Sequence, residues 1–212
     1  MIFAVSILSG LLILDKYAVG IFGLSQPLGS GLIFGFIFGD ISKSITLGAY
    51  LQLLYLATLP IGRHIPPDGE LGGITGLAIH VLYPDLPLSI PLFFAILTSL
   101  FSSYTDILFR QFNNLLYRKG VAAASQERVG AAIRFHLLGL PVAFLRGFAT
   151  VLLMLIIVGQ INLNSIIWPD AVTVVPIAIG FASGLILFFK LRHIIYLLGG
   201  VMLGWIFQFL AG

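Results

Sequence analysis

The first 85 residues break their apolar sequence again and again before a segment grows long enough to cross a bilayer. A helical crossing of the roughly 30 Å hydrocarbon core takes about 20 apolar residues. Residues 1–14 stop at Asp15-Lys16 and would rise only about 21 Å as a helix. Residues 28–38 are shorter and end at Gly39-Asp40; 45–61 are marginal; 71–83 carry His80 inside and Pro84-Asp85 after. Between the last two segments lies a polar, helix-breaking stretch with Pro60, Gly62, Arg63, His64, Pro66, Pro67, Asp68, Gly69 and Glu70. In a water-soluble protein it would read as a surface loop.

Composition argues against that setting. The chain is 59% hydrophobic and 9% charged, with mean hydropathy +1.09, whereas soluble domains carry roughly 25% charged residues. A soluble fold of this size has no interior large enough for so much apolar surface. The chain is therefore expected to be an all-α, polytopic integral membrane protein, a single membrane domain over residues 1–212. A membrane β-barrel needs alternating polarity, and residues 86–104 do not alternate. In a membrane, non-helical backbone survives only where protein or a watery cavity surrounds it, and transporters bind cargo at such breaks. Re-entrant hairpins or half-helices in residues 1–85, forming a substrate site, account for the short segments. With no cysteine, disulfide and thiolate chemistry are excluded. Met1 to Leu14 lacks a basic opening and a cleavage site, and is expected to belong to the mature protein.

Residues 86–105, 137–158, 171–189 and 194–210 have spanning length. Between the first two lies the one hydrophilic region, 106–136, with Arg110, Arg118, Lys119, Arg128 and Arg134 against Asp106 and Glu127. The positive-inside rule places it in the cytoplasm. A second basic turn, Lys190, Arg192 and His193, then also falls inside, while Asp85, Asp170 and the interfacial Trp168 fall outside. The recurrence of Ser30-Gly31-Leu32-Ile33 at Ser183-Gly184-Leu185-Ile186 does not establish a repeat in so Gly- and Leu-rich a chain.

A charge at the bilayer centre costs about 2.5–3.5 kcal/mol on insertion scales, so Asp15, Lys16, Asp40, Lys43, Arg63, Asp68 and Glu70 must pair, sit at an interface or line a cavity. A cavity ringed by carboxylates and amides suits a polyhydroxylated solute, because sugar hydroxyls both donate and accept. Gln52, near Tyr50 and Tyr55, reads equally as ligand contact or interhelical hydrogen bond. Arg146 reads as structural. His80, His136 and His193 stand alone, without metal-ligand spacing. No phosphate loop and no Ser/His/Asp arrangement is present, so the energy for transport would enter through a partner or an ion gradient.

Ser25-Gln26-Pro27-Leu28, Gly35, Gly39-Asp40, Gly48, Gln52, Gly62 and Pro67-Asp68, with Ile13-Leu14-Asp15 upstream, resemble the N-terminal half of IIC subunits of mannose/fructose/sorbose-type sugar phosphotransferase systems. Residues 191–203 are similar to a later basic turn and Tyr-rich helix of that family. The chain departs from the pattern at Gln52, where hexose transporters usually have Glu, at Pro60, often Asn, and in lacking the last apolar segments. The resemblance implies a sugar-translocating subunit of a bacterial inner membrane, not itself an enzyme and without a cofactor. It implies pairing with a IID membrane subunit, a trimer of IIC–IID pairs, and phosphorylation of the hexose by cytoplasmic IIA/IIB proteins; the formal charge of +3 is too small to suggest a nucleic-acid partner. The expected sugar ligands are Asp15, Gln52, Arg63, His64, Asp68 and Glu70, with Asp40 and Gln26 structural beside them. A non-transporting membrane scaffold or regulatory member, and an independent secondary transporter, are the rival readings.

Overall fold

A computed structural model describes residues 1–56, 66–161, 175–176 and 179–180. Arg63 and His64, the repeat at 183–186 and the apolar segment 194–210 lie outside the described residues, as do nearly all of 171–189 and the basic turn at 190–193. The described residues are helical, without strands: α1 (Ile2–Leu14) runs into a π-helical turn (Asp15–Val19), then α2 (Pro27–Phe38), α3 (Ile41–Tyr55), α4 (Gly69–Leu82), α5 (Ser89–Ala124), α6 (Val129–Leu137) and α7 (Gly139–Gln160).

Two helical stretches, 89–124 and 129–160, are long and apolar enough to cross a membrane. They contain the expected crossing at 137–158 and all but the first three residues of that at 86–105. The hydrophilic connector between those crossings is itself helical. Residues 106–124 hold no proline, and Phe109, Leu116 and Ala123 are buried along one side, at helical spacing. α5 packs against α6 and its Phe109 ring meets that of Tyr17, so α5 continues well past its apolar half.

The short N-terminal segments become short helices. At 1.5 Å per residue α2, α3 and α4 rise about 18, 22 and 21 Å, each less than the roughly 30 Å core. A two-residue corner joins α2 to α3. Gly39 closes α2 in the left-handed region at φ 89°, which glycine adopts without strain. Asp40 then caps α3, its carboxylate accepting from Lys43 N at 3.2 Å. This sharp turn folds α2 and α3 into a tight hairpin. A Cβ on Gly48 would stand 2.5 Å from the Pro27 carbonyl oxygen, so the two backbones nearly touch.

The hairpin rests on α4, which is buried from Leu71 through His80 and is the centre of the fold. A Cβ on Gly72 would meet the Ala95 carbonyl oxygen of α5 at 2.6 Å; small residues of this kind let membrane helices approach closely. The corner residue Asp40 lies 3.9 Å from His80 near the end of α4, while the open ends of the hairpin reach the start of α4. On the other side α1 packs against α7. Its polar residues Ser6 and Ser9 are buried and donate back to Ile2 O and Val5 O at 3.0 and 2.8 Å, so they present no unpaired hydroxyl.

Gly48→Val should therefore cost about 1–3 kcal/mol through overpacking against backbone that cannot yield. Gly130→Ala, on α6 with open space around it, should cost nothing. Thermal unfolding of the two purified variants measures the contrast; equal melting temperatures would rule out the close α2–α3 packing.

Candidate functional site

Proline-proline and an Asp-Gly pair set the start of α4. Pro66 and Pro67 cannot continue a helix inward, and Asp68 follows as the N-cap, its carboxylate accepting from Leu71 N at 3.4 Å. The Asp68 amide donates to Ser99 O of α5 at 3.0 Å, which locks the cap against the neighbouring helix. Asp68 is thus buried by its backbone position, with a carboxylate oxygen left to satisfy.

Arg146 of α7 satisfies it. Its Nη2 pairs with Asp68 Oδ2 and also donates to Ser102 O at 3.1 Å. Nε donates to Thr105 Oγ1 at 3.1 Å and Nη1 to the Tyr17 hydroxyl at 2.8 Å. Nη1 lies 3.4 Å from Asp106 Oδ1, the same oxygen that takes the Tyr17 hydroxyl proton's hydrogen bond at 2.7 Å. The planar, five-donor guanidinium is suited to such multiple contacts. The Arg146 and Asp68 side chains are only 5% and 4% exposed, so the pair is a buried one. Arg110 completes this part, its Nε 2.6 Å from Asp106 Oδ2.

From Asp68 the polar chain runs on toward the hairpin. Lys16 Nζ stands 3.7 Å from Asp68 Oδ1 and 2.5 Å from Glu70 Oε2. Glu70 Oε1 accepts from Gln26 Nε2 at 3.3 Å, and Gln26 Oε1 accepts from Gln52 Nε2 at 3.1 Å. Gln52 Oε1 in turn faces Leu28 N at 3.5 Å. Carboxylates and cations alternate from Arg110 to Glu70, and two amides end the series. Lys16, Gln26, Gln52 and Glu70 are half-buried, unlike Asp68 and Arg146.

The expected site residues thus fall into distinct places. Gln26, Gln52, Asp68 and Glu70 come together, and Gln26 bridges Gln52 to Glu70. Asp15 lies next to Lys16 in sequence, but both of its oxygens are engaged elsewhere. They accept from the amides of Phe22, Gly23 and Ser25 at 2.9, 3.0 and 3.2 Å, with the Ser25 hydroxyl at 3.4 Å. Asp15 therefore organises the loop that delivers Gln26. Asp40 lies at the opposite end of α4, beside His80. Among the described residues no three His, Asp or Glu side chains converge as a metal site. Lys16, Tyr17 and Asp106 were not among the expected site residues. The available signal was Arg146, a lone cation in an apolar span that demanded anionic partners from elsewhere in the chain.

Removing one member of the Arg146–Asp68 pair leaves its partner buried with only a longer ion contact, Lys16 for Asp68 or Asp106 for Arg146, at a cost of up to about 3–5 kcal/mol. Arg146→Gln and Asp68→Asn should each destabilise by about that much; Asn keeps the N-cap. The double variant should lose much less than the sum. A double-mutant cycle on unfolding free energies measures the coupling, and additive losses would exclude the pair as a stabilising contact.

Residues 1–209 match the family described as the sorbose-specific IIC component of the phosphotransferase system. A curated Escherichia coli (strain K12) protein, provisionally named N-acetylgalactosamine permease IIC component 2, is 27% identical over 116 residues, which are 51% of this chain and 86% of that protein. Two solved structures share the fold. One, titled as a membrane protein structure, aligns with TM-score 0.72 at 19% identity over 100% of this chain and 92% of its own. The other is a cryo-EM structure of the mannose transporter ManYZ with microcin E492; it aligns with TM-score 0.63 at 19% identity, over 97% of this chain and 83% of its own. The chain belongs to the sorbose-type IIC family of phosphotransferase-system sugar permease components.

Proposed function

We propose that this chain is the sugar-translocating IIC subunit of a mannose-type phosphotransferase system, and that it binds a hexose where Gln52, Gln26 and Glu70 meet the start of α4. The observation that carries the reading is the run of half-buried amide and carboxylate groups at the end of an ion-pair series whose centre, Arg146 with Asp68, is buried. Two amides and a carboxylate offer both donors and acceptors, the pattern a sugar hydroxyl requires. Family resemblance puts Glu where Gln52 stands. Here Glu70 supplies a carboxylate two hydrogen bonds away, through Gln26.

Asp68 contributes by holding the loop and Glu70 in place, and Asp15 by shaping the loop before Gln26. Arg63 and His64, from the same polar stretch, are the remaining candidate ligands. In this reading the end of the bundle bearing Arg118, Lys119, Arg128 and Arg134 faces the cytoplasm of a bacterial inner membrane. A IID subunit completes the membrane complex as a trimer of IIC–IID pairs. Cytoplasmic IIA and IIB proteins phosphorylate the sugar, so the permease subunit itself needs no phosphoryl-transfer residues.

Titration calorimetry of hexoses with the purified IIC–IID complex tests the site. Gln52→Ala and Glu70→Gln should each weaken binding by roughly tenfold, the effect of one lost hydrogen bond to a ligand. Unchanged affinity in both, and in Asp68→Asn, would refute the assignment. Uptake of labelled hexose by cells carrying the partner genes should yield the sugar phosphate. Uptake of free sugar without those partners would instead show an independent secondary transporter, and absence of uptake by the complete system would favour the scaffold reading.

A further inference from the structure

The ion pairs of the polar series close in two sets. Arg146 and Arg110 face Asp68 and Asp106, two cations against two carboxylates. Asp68 is already satisfied without Lys16: one oxygen pairs with Arg146 and the other accepts from Leu71 N. What remains is Lys16 against Glu70, at 2.5 Å. Among the described residues the charged groups facing Glu70 are Lys16, Asp68 and, behind Asp68, Arg146. Lys16 is therefore the counter-ion of Glu70. It is carried by a different element, the π-helical turn, a local distortion often found at functional positions. Its side chain is 27% exposed and that of Glu70 14%, with Glu70 Oε2 itself buried against Lys16, whereas the Arg146 and Asp68 side chains are 5% and 4% exposed.

We propose that Lys16 is a specificity-determining residue: by neutralising Glu70 it makes the amide-carboxylate site select uncharged sugars over amino sugars. This rests on the sugar-site reading above. A bare carboxylate in a half-buried site attracts a protonated amine strongly, because the surrounding medium screens it poorly. With Lys16 in place the carboxylate still accepts hydroxyl hydrogen bonds, but a ligand ammonium gains little and meets a like charge. Discrimination of this kind comes from the repulsive partner as much as from the attractive one.

The experiment is competitive binding of mannose and glucosamine to the IIC–IID complex, at a pH where the glucosamine amine is protonated. The quantity read is the ratio of the two affinities. Lys16→Gln should move the ratio toward glucosamine by on the order of tenfold, the factor that about 1.4 kcal/mol of charge pairing represents. Lys16→Arg should keep the wild-type ratio. Glu70→Gln, which leaves Lys16 without its carboxylate, should move the ratio the opposite way even if its affinity for both sugars falls. The shift should vanish at a pH where the amine is neutral. A merely structural Lys16 would change both affinities together and leave the ratio and its pH dependence flat, which would overturn the proposal. Wild-type complex that binds neither sugar would overturn the sugar site and this inference together. Binding by wild type with flat ratios in all variants would overturn this inference alone.

Discussion

The pairing of Arg146 with Asp68 is the interaction on which the rest of the arrangement depends. A guanidinium inside an apolar span and a carboxylate at a buried helix start are each prohibitive alone. Together, with Ser102 O, Thr105 and Tyr17 taking the remaining guanidinium donors, they become one compact polar unit. That unit joins α7, α5, the π-helical turn and the start of α4. It holds the helix-breaking Pro-Pro-Asp-Gly segment in register with the bundle, and so determines where Glu70 points. The half-buried groups beyond it inherit their geometry from this fixed point.

Around that unit the two halves of the chain do different work. α5 and α7 are long enough to cross the bilayer and carry the buried polar contacts inward. α2, α3 and α4 are too short to cross alone, and satisfy their positions by packing on one another. The α2–α3 hairpin brings Gln26 and Gln52, 26 positions apart in sequence, to one place. Its corner at Gly39-Asp40 goes to the far end of α4, beside His80. A short hairpin laid along a buried central helix thus delivers two amides to a carboxylate. No long loop is needed, and the backbone groups stay hydrogen-bonded within helices.

Much of the fold was legible in the sequence. The hydropathy of 86–105 and 137–158 marked the spans, and Gly39-Asp40 and Pro66-Pro67-Asp68 marked where helices stop and start, because glycine, proline and a capping aspartate act locally. The helical nature of 106–124 was less visible, since its charged residues dominate the hydropathy and hide the buried stripe of Phe109, Leu116 and Ala123. Of the polar cluster, Gln52, Asp68 and Glu70 stand out in the sequence as polar residues in apolar surroundings. Their partners could not. Lys16 and Glu70, or Arg146 and Asp106, are matched by three-dimensional proximity, and every cation in the chain is a formally equivalent candidate.

Asp15 shows the same division sharply. Its sequence setting, a carboxylate ending an apolar helix, is the same for a sugar ligand as for a loop-capping group. Only the fold of residues 20–26 decides between them, by turning the amides of Phe22, Gly23 and Ser25 onto its two oxygens. By itself the sequence determined a helical membrane protein with short, broken N-terminal segments and polar residues gathered near the breaks. Those properties follow from local hydropathy and backbone preference. The tertiary structure alone decided which charges neutralise one another and which carboxylate is left half-buried beside amides. Pairing depends on helix rotation and depth, which residue period and hydropathy leave free.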